Sequence, residues 1–241
     1  DVVAPGRATL GVMLPYTALH VLLMEALGIP VVATSGNLSD EPICTDASEA
    51  MARLARVADV FLVHDRQIAR PVDDSVVRVI AGDPVVLRAA RGYAPLAIPV
   101  ELDLPATLAV GGHLKNAVAV ARERQIILSQ HVGDLETELS RQVFTQTQAA
   151  MTQLYALTPE TSACDLHPDY ASTRAADEHG GRVIRVQHHH AHVLSAMAEA
   201  NLPSPVLGVA WDGTGYGPDG TVWGGEFLRV TAGEVERIAH L

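Results

Sequence analysis

Val206-Leu207-Gly208-Val209-Ala210-Trp211-Asp212-Gly213-Thr214-Gly215, an apolar strand running into a glycine-rich turn, decides the fold because it restarts a pattern the chain has already run through once. Upstream, Thr107 to Val110 is likewise a short apolar strand ending in Gly111-Gly112. Ala117 to Ala121 and Ile126 to Ser129 read as two further strands, separated by a charged turn at Arg122 to Arg124. Helical and strand periodicities then alternate: a helix over Leu135 to Tyr155, a strand over Ser162 to Cys164, a helix over Ser172 to His179, a strand over Val183 to Val186 and a helix over His189 to Glu199. The order is β-β-β-α-β-α-β-α, after which Val206 to Ala210, the Asp212 turn and Val222 to Val230 begin again.

A repeated strand-rich opening followed by alternating helices resembles the two-lobed, ribonuclease-H-like nucleotide-binding fold of actin, sugar kinases and heat-shock ATPases. By that analogy residues 106–205 form one lobe and 206–241 the start of the second. In front of them lies a different α/β unit. Tyr16 to Leu27 carries leucines on one helical face and is stopped by Gly28, and Ile29 to Thr34 reads as a strand. Ser35 to Pro42 is a polar turn, Ser48 to Val57 a helix, Val60 to Val63 a short buried strand, and Val76 to Ile80 with Pro84 to Leu87 a hairpin around Ala81-Gly82-Asp83. Pro95, Pro99 and Pro105 punctuate the next stretch, which sets a first domain at 1–97 and a linker at 98–105.

Composition narrows the function classes. A 241-residue chain that is 48% hydrophobic has ample core for two domains. With 17 basic against 28 acidic residues its formal charge is −11, so there is no basic footprint for nucleic acid, and none is expected as a partner. Cys44 and Cys164 are too few and too far apart for a disulfide framework, which fits a reducing, cytoplasmic setting. No apolar run reaches membrane-spanning length and no signal-peptide pattern opens the chain, so no membrane partner is expected. The sequence opens on Asp1-Val2-Val3 without methionine and stops at Leu241 within an apparent strand, and is therefore expected to be an interior piece of a longer protein.

Two turns carry the candidate phosphate chemistry. In Gly111-Gly112-His113-Leu114-Lys115-Asn116 the glycines let backbone amides approach an anion, with Lys115 placed to touch oxygen and Asn116 to orient it. The plainer account is a hairpin with an idle lysine. A second turn, Asp212-Gly213-Thr214-Gly215-Tyr216-Gly217, occupies the corresponding place after the restart, which tips the balance towards a nucleotide cleft. His188, His189, His190 and His192 are the densest ionisable cluster. His188 and His192 lie four apart, on one helical face, and can close on a divalent metal if an acidic third ligand joins them; the alternative is a polar helix start. Asp134 and Asp165 each follow a strand and serve either a nucleotide-bound metal or a helix cap, while Cys164 reads as a packed thiol. In the front unit, Thr34, Ser35 and Asn37 offer hydroxyl and amide groups for an acyl phosphate or nucleotide. Arg70, Arg78, Arg88 and Arg91 recur in or beside strands, where guanidinium groups can reach phosphate.

Taken together these strings resemble the HypF-type carbamoyltransferases of nickel-iron hydrogenase maturation. Val32 to Ile43, Arg70-Pro71-Val72-Asp73-Asp74-Ser75-Val76 and Arg91-Gly92-Tyr93-Ala94-Pro95 are similar to the nucleotide-binding portion of their YrdC-like domain. Gly111 to Asn116, Gly133-Asp134-Leu135, Cys164 to Tyr170, Gln187 to His192 and Trp223-Gly224-Gly225-Glu226 are similar to their threonylcarbamoyl-transferase-like domain. The fold expected from the resemblance is α/β: the C-terminal part of a YrdC-like domain, then one lobe and the start of another of the actin/sugar-kinase type.

The resemblance implies that carbamoyl phosphate and ATP, with Mg2+, give carbamoyl adenylate in the YrdC-like part. The carbamoyl group then passes to the C-terminal cysteine of the partner protein HypE. It places Thr34, Ser35 and Asn37 in the adenylation pocket with Arg88 and Arg91 at its rim, Gly111, Gly112, Lys115, Asn116, Asp212 and Gly213 in the nucleotide cleft, and His188 and His192 on a zinc or iron ion. It assigns no catalytic residue, and it puts the remaining metal ligand, an aspartate, beyond Leu241. Ala89 stands where the family commonly has a second arginine, removing one anion contact from the rim. The family's acylphosphatase and zinc-finger-like regions do not occur in this sequence, so the chain alone is expected to be catalytically incomplete. Carbamoylation of a small molecule or tRNA, and a non-catalytic partner-binding role, are the competing functions.

Overall fold

The computed structural model describes residues 3–241 and divides into two compact units, one ending at Gly36 and the other running from Asn37 to Leu241. In the first, α1 (Ala18–Leu27) begins where the Thr17 hydroxyl accepts the His20 amide at 3.1 Å and ends at Gly28, whose φ of 65° closes the helix. Ile29 to Thr34, expected as a strand, has no ladder partner among the described residues and stays irregular. The same reason overturns the buried strand at Val60 to Val63 in the second unit: Val60 is 84% exposed and nothing described pairs with it. Apolar, β-branched runs form strands only where a neighbour satisfies their amides.

The second unit opens with α2 (Ala47–Leu54), capped by the Asp46 carboxylate on the Glu49 amide at 2.9 Å. The hairpin comes next as β1 (Val76–Ile80) and β2 (Asp83–Arg88), joined through Ala81 and Gly82, both at positive φ, which suits the right-handed twist of the pair. After it run β3 (Leu96–Ala109) and β4 (Ala119–Leu128), where three strands and a linker were expected. The charged stretch Arg122 to Arg124 is not a turn. It lies within β4, with Glu123 at φ 53° taking up an irregular register opposite Leu104. Residues 98–105 are likewise part of β3, in spite of Pro99 and Pro105. Their prolines are tolerated because β3 meets a second neighbour only at Thr107 to Ala109, so the earlier stretch has a free edge where no donor is needed.

The alternating part matches the expected order: α3 (Glu138–Leu154), β5 (Thr161–Asp165), α4 (Ala171–Glu178), β6 (Arg182–Val186) and α5 (His188–Glu199). The sheet runs β4-β3-β5-β6, antiparallel between β4 and β3 and parallel thereafter. α3 turns Ser140, Phe144, Thr147, Gln148 and Met151 inward, a spacing of three and four that makes one buried stripe. Phe144 and Met151 join Leu108, Val118, Val120 and Leu135 in the core, and Cys164 is packed there too, its thiol pushed up by burial. The restart gives β7 (Val206–Ala210), the short pair β8 (Gly215–Tyr216) and β9 (Val222–Trp223), β10 (Glu226–Val230) and β11 (Val235–His240). β11-β10-β7 form an antiparallel sheet whose Ala210, Leu228 and Val230 pack against Val193 of α5. No helix among the described residues is long and apolar enough to cross a membrane.

Candidate metal centre

The adjacent parallel strands β5 and β6 both end at one edge of the sheet, with Asp165 in register beside Val186. Two residues past Val186 the helix α5 starts: the Gln187 side-chain oxygen accepts the His190 amide at 3.0 Å, which fixes the first turn and the direction of the histidines on it. His188 and His192 then stand one above the other with their Nε2 atoms 3.3 Å apart. β7 delivers Asp212 to the same place. Its Oδ2 lies 2.8 Å from His188 Nε2 and 3.5 Å from His192 Nε2, and the three donor atoms all fall within 4.8 Å of one another. Donors on a tetrahedral ion with bonds of about 2.0–2.1 Å stand roughly 3.3 Å apart, so the trio has the dimensions of a metal site.

Asp212, placed by the sequence in the glycine-rich turn, also stands beside the histidine pair, so an acidic third donor is at hand within the chain; the expected aspartate beyond Leu241 lies outside this sequence. The reason is tertiary: β7 packs on α5, and the loop after it falls across the first turn of the helix. Gly215 permits that approach, since a Cβ there would sit 2.7 Å from His189 Cε1 and 2.9 Å from His188 Cβ. His189 is 0% exposed and fastens the loop from beneath, with Nε2 3.2 Å from the Asp212 carbonyl and Nδ1 3.1 Å from the Gln187 amide nitrogen. His190 faces away towards Trp223, and burial pushes its pKa down.

The charges are set by the same contacts. The hydrogen bond that His188 Nδ1 donates to Asp165 Oδ2 at 2.7 Å raises the His188 pKa against the opposing effect of burial. Burial, and then the charge on His188, lower that of His192. Burial alone would raise the Asp212 carboxyl, but the two imidazoles outweigh it and hold the group below its usual range. The two imidazoles are thereby shifted in opposite directions beside a carboxylate shifted towards its ionised form.

The first glycine turn lies against this centre: a Cβ on Gly112 would be 4.0 Å from Asp165 Oδ2. Asn116 builds the turn, being 1% exposed with its amide donating to the carbonyls of Val110 at 2.8 Å and Gly112 at 2.6 Å. Lys115 is exposed, and its backbone N–H is taken by Asp134 Oδ1 at 2.6 Å. Asp134 therefore supports the turn, while Thr137 caps α3. Gly111 has φ 68°, and a Cβ on it would sit 2.6 Å from the Ala117 carbonyl oxygen. Gly111→Ala should cost about 1–3 kcal/mol and displace the turn, measurable as a lower unfolding midpoint of the full-length protein.

The remaining sequence candidates are spread between the two units. Thr34 and Ser35 are exposed at the end of the first. In the second, the Asn37 amide donates to the carbonyls of Leu38 at 3.0 Å and Glu41 at 2.8 Å, shaping the polar turn. Arg88 Nε donates to the Asp74 carbonyl at 2.9 Å and Arg91 reaches the Val72 carbonyl at 3.2 Å, so both hold the segment before β1. Arg70 and Arg78 are exposed.

Three family models cover most of the chain: one described as telomere recombination, of the Sua5, YciO and YrdC type, over residues 1–90; the HypF Kae1-like domain over 103–199; and the second subdomain of the Kae1-like carbamoyltransferase domain over 208–241. The chain is 53% identical to the carbamoyltransferase HypF of Synechocystis sp. over 99% of its length and 31% of that protein. It is 44% identical to that of Rhodobacter capsulatus over 100% of the chain and 34% of the relative. It thus spans about a third of the length of these curated relatives. Among solved structures, full-length HypF in its phosphate- and nucleotide-bound form superposes with a TM-score of 0.91 at 46% identity, covering 96% of this chain and 37% of that one. HypF of T. kodakarensis does so with 0.91 at 40%, covering 99% and 32%.

Proposed function

This chain belongs to the HypF carbamoyltransferase family, and from that premise we propose that it carries parts of both sites of an ATP-dependent carbamoyl transfer. Carbamoyl phosphate first loses inorganic phosphate to water, which leaves carbamate; in the front part a carbamate oxygen then attacks the α-phosphorus of ATP, with Mg2+, so that carbamoyl adenylate forms and pyrophosphate leaves. In the rear part the carbamoyl carbon is attacked by the C-terminal cysteine thiol of HypE, and AMP departs.

The observation that carries the proposal is the His188, His192 and Asp212 centre beside the Gly111 to Asn116 turn. The donor set fits a divalent ion, and imidazole with carboxylate suits zinc and iron alike. When bound, such an ion supplies a Lewis acid that polarises a carbonyl or phosphoryl oxygen. The chain's own groups do the rest. The glycine turns offer backbone N–H groups to phosphate oxygens, with Lys115 adding charge. Asp212 is fixed by the N–H of Gly213 at 3.0 Å, and the loop carrying it by His189.

The full-length protein should catalyse ATP–pyrophosphate exchange that depends on carbamoyl phosphate. Exchange that appears only when tRNA is added would overturn the acceptor assignment. Asn37→Ala should lower that exchange at least about tenfold, the equivalent of some 1.4 kcal/mol of transition-state stabilisation. His192→Ala should leave exchange intact and abolish transfer to the thiol. Equal loss of exchange in both variants would break the division of labour between the two parts.

A further inference from the structure

We infer that Asp165 is the positioning residue of the metal centre, dictating which nitrogen of His188 carries its proton and so which one faces the cation. The inference rests on reading His188, His192 and Asp212 as a cation site. Asp165 Oδ2 lies 2.7 Å from His188 Nδ1. An ionised carboxylate can only accept, so the proton of that bond sits on Nδ1; a cation that displaces any proton between Nε2 and Asp212 then meets a neutral ring with its lone pair on Nε2. Nε2 is the atom that points at Asp212 and His192, at 2.8 and 3.3 Å.

Asp165 is itself held from several directions. Its Oδ1 accepts the His167 N–H at 2.9 Å, its carbonyl accepts the Thr173 hydroxyl at 3.1 Å, and as the last residue of β5 it is clamped in register beside Val186. It is buried, so neither oxygen can drift to solvent. A carboxylate behind a ligating imidazole fixes both ring orientation and tautomer, and its loss typically weakens metal binding by about 10- to 100-fold.

Asp165→Asn separates this role from simple support of the His167 turn. An asparagine keeps the volume and can still give its oxygen to the His167 N–H. Its NH2 group then faces His188 Nδ1 and favours the tautomer with the proton on Nε2, aimed at the cation. In the full-length protein, zinc affinity measured against a chromophoric chelator should fall about 10- to 100-fold without a matching fall in unfolding temperature. Histidine-selective 15N spectra should show the His188 proton on Nδ1 in the unmodified protein and on Nε2 in the metal-free variant.

His188→Ala and Asp212→Ala separate the cation site from the tautomer control. If both retain zinc, the cation site itself is wrong. If both lose it while Asp165→Asn binds like the unmodified protein, the site stands and the inference fails. Should Asp165→Asn not fold, the spectrum of the unmodified zinc-bound protein still decides: a proton on Nε2 of His188, with Nδ1 towards the ion, would overturn the inference.

Discussion

Under the proposed function, Asp212→Ala should abolish divalent-ion binding by the full-length protein and stop carbamoyl transfer, while carbamoyl-phosphate-dependent ATP–pyrophosphate exchange continues. Asp212 is the only carboxylate of the described three-donor group, and its oxygen lies within 3.5 Å of both imidazole nitrogens. Removing it leaves two neutral donors where a catalytic site ordinarily keeps about three. The loss of affinity should exceed the roughly 10- to 100-fold cost of losing a supporting group. A residue serving only the nucleotide cleft would behave differently, with metal retained after dialysis and weaker nucleotide binding. Asp134→Ala is the informative companion, since that carboxylate holds the Lys115 amide in the other turn and should affect nucleotide binding without releasing the ion. Metal retained by Asp212→Ala would rule out the three-donor centre.

How much of the site was legible in the sequence depends on range along the chain. The four-residue spacing of His188 and His192 translates directly into one helical face, and Gln187 caps the helix where the strand-to-helix change was expected. The helix α3 and the packed Cys164 were visible for the same local reason, whereas the polar Ser140, Thr147 and Gln148 in the buried stripe were not. Asp165 and Asp212 are 23 and 20 residues from the histidines they meet, and only the parallel register of β5 with β6 and the packing of β7 on α5 unite them. The signal that could have found them is topological: side chains at the carboxyl ends of neighbouring strands converge, so an acidic residue just past each strand is a candidate partner for whatever begins the next helix. Pro99 and Pro105 misled for a related reason, because proline excludes a central strand but not the one-sided part of β3. Val60 to Val63 shows the converse, a strand-like composition with no neighbour among the described residues to pair with.

The rear sheet hides an ion pair that local pattern gave no sign of, and Arg237→Ala should be among the most damaging substitutions in the chain. Glu226 is 0% exposed. Its two oxygens take Arg237 Nε at 2.6 Å and a terminal guanidinium nitrogen at 2.7 Å, and Oε1 also accepts the Gly224 N–H at 3.2 Å. The guanidinium lies 4.1 Å from the Trp223 ring centroid, so its outer face is covered as well. Truncating the arginine would leave a buried carboxylate with one amide for company, a defect that typically costs about 3–5 kcal/mol. Because the chain holds more than one unit, the sensitive readout is local: hydrogen exchange of the β10 amides, around Leu228 and Val230, should accelerate by about a hundredfold or more at 1.4 kcal/mol per decade. The pH dependence has a fixed sign. Burial alone would raise the Glu226 carboxyl, but Arg237 outweighs it and holds the group below the ordinary glutamate value. A carboxyl depressed in the folded state contributes stability that is fully present above the ordinary value and is lost as pH falls through the depressed one. The variant, by contrast, relieves its unpaired charge by taking up a proton on mild acidification. The gap in β10 protection between the two proteins should therefore be widest near neutrality and narrow towards pH values at and below the ordinary glutamate range. A gap that stays constant across that range would mean the cost comes from lost packing on Trp223 and not from the charge on Glu226.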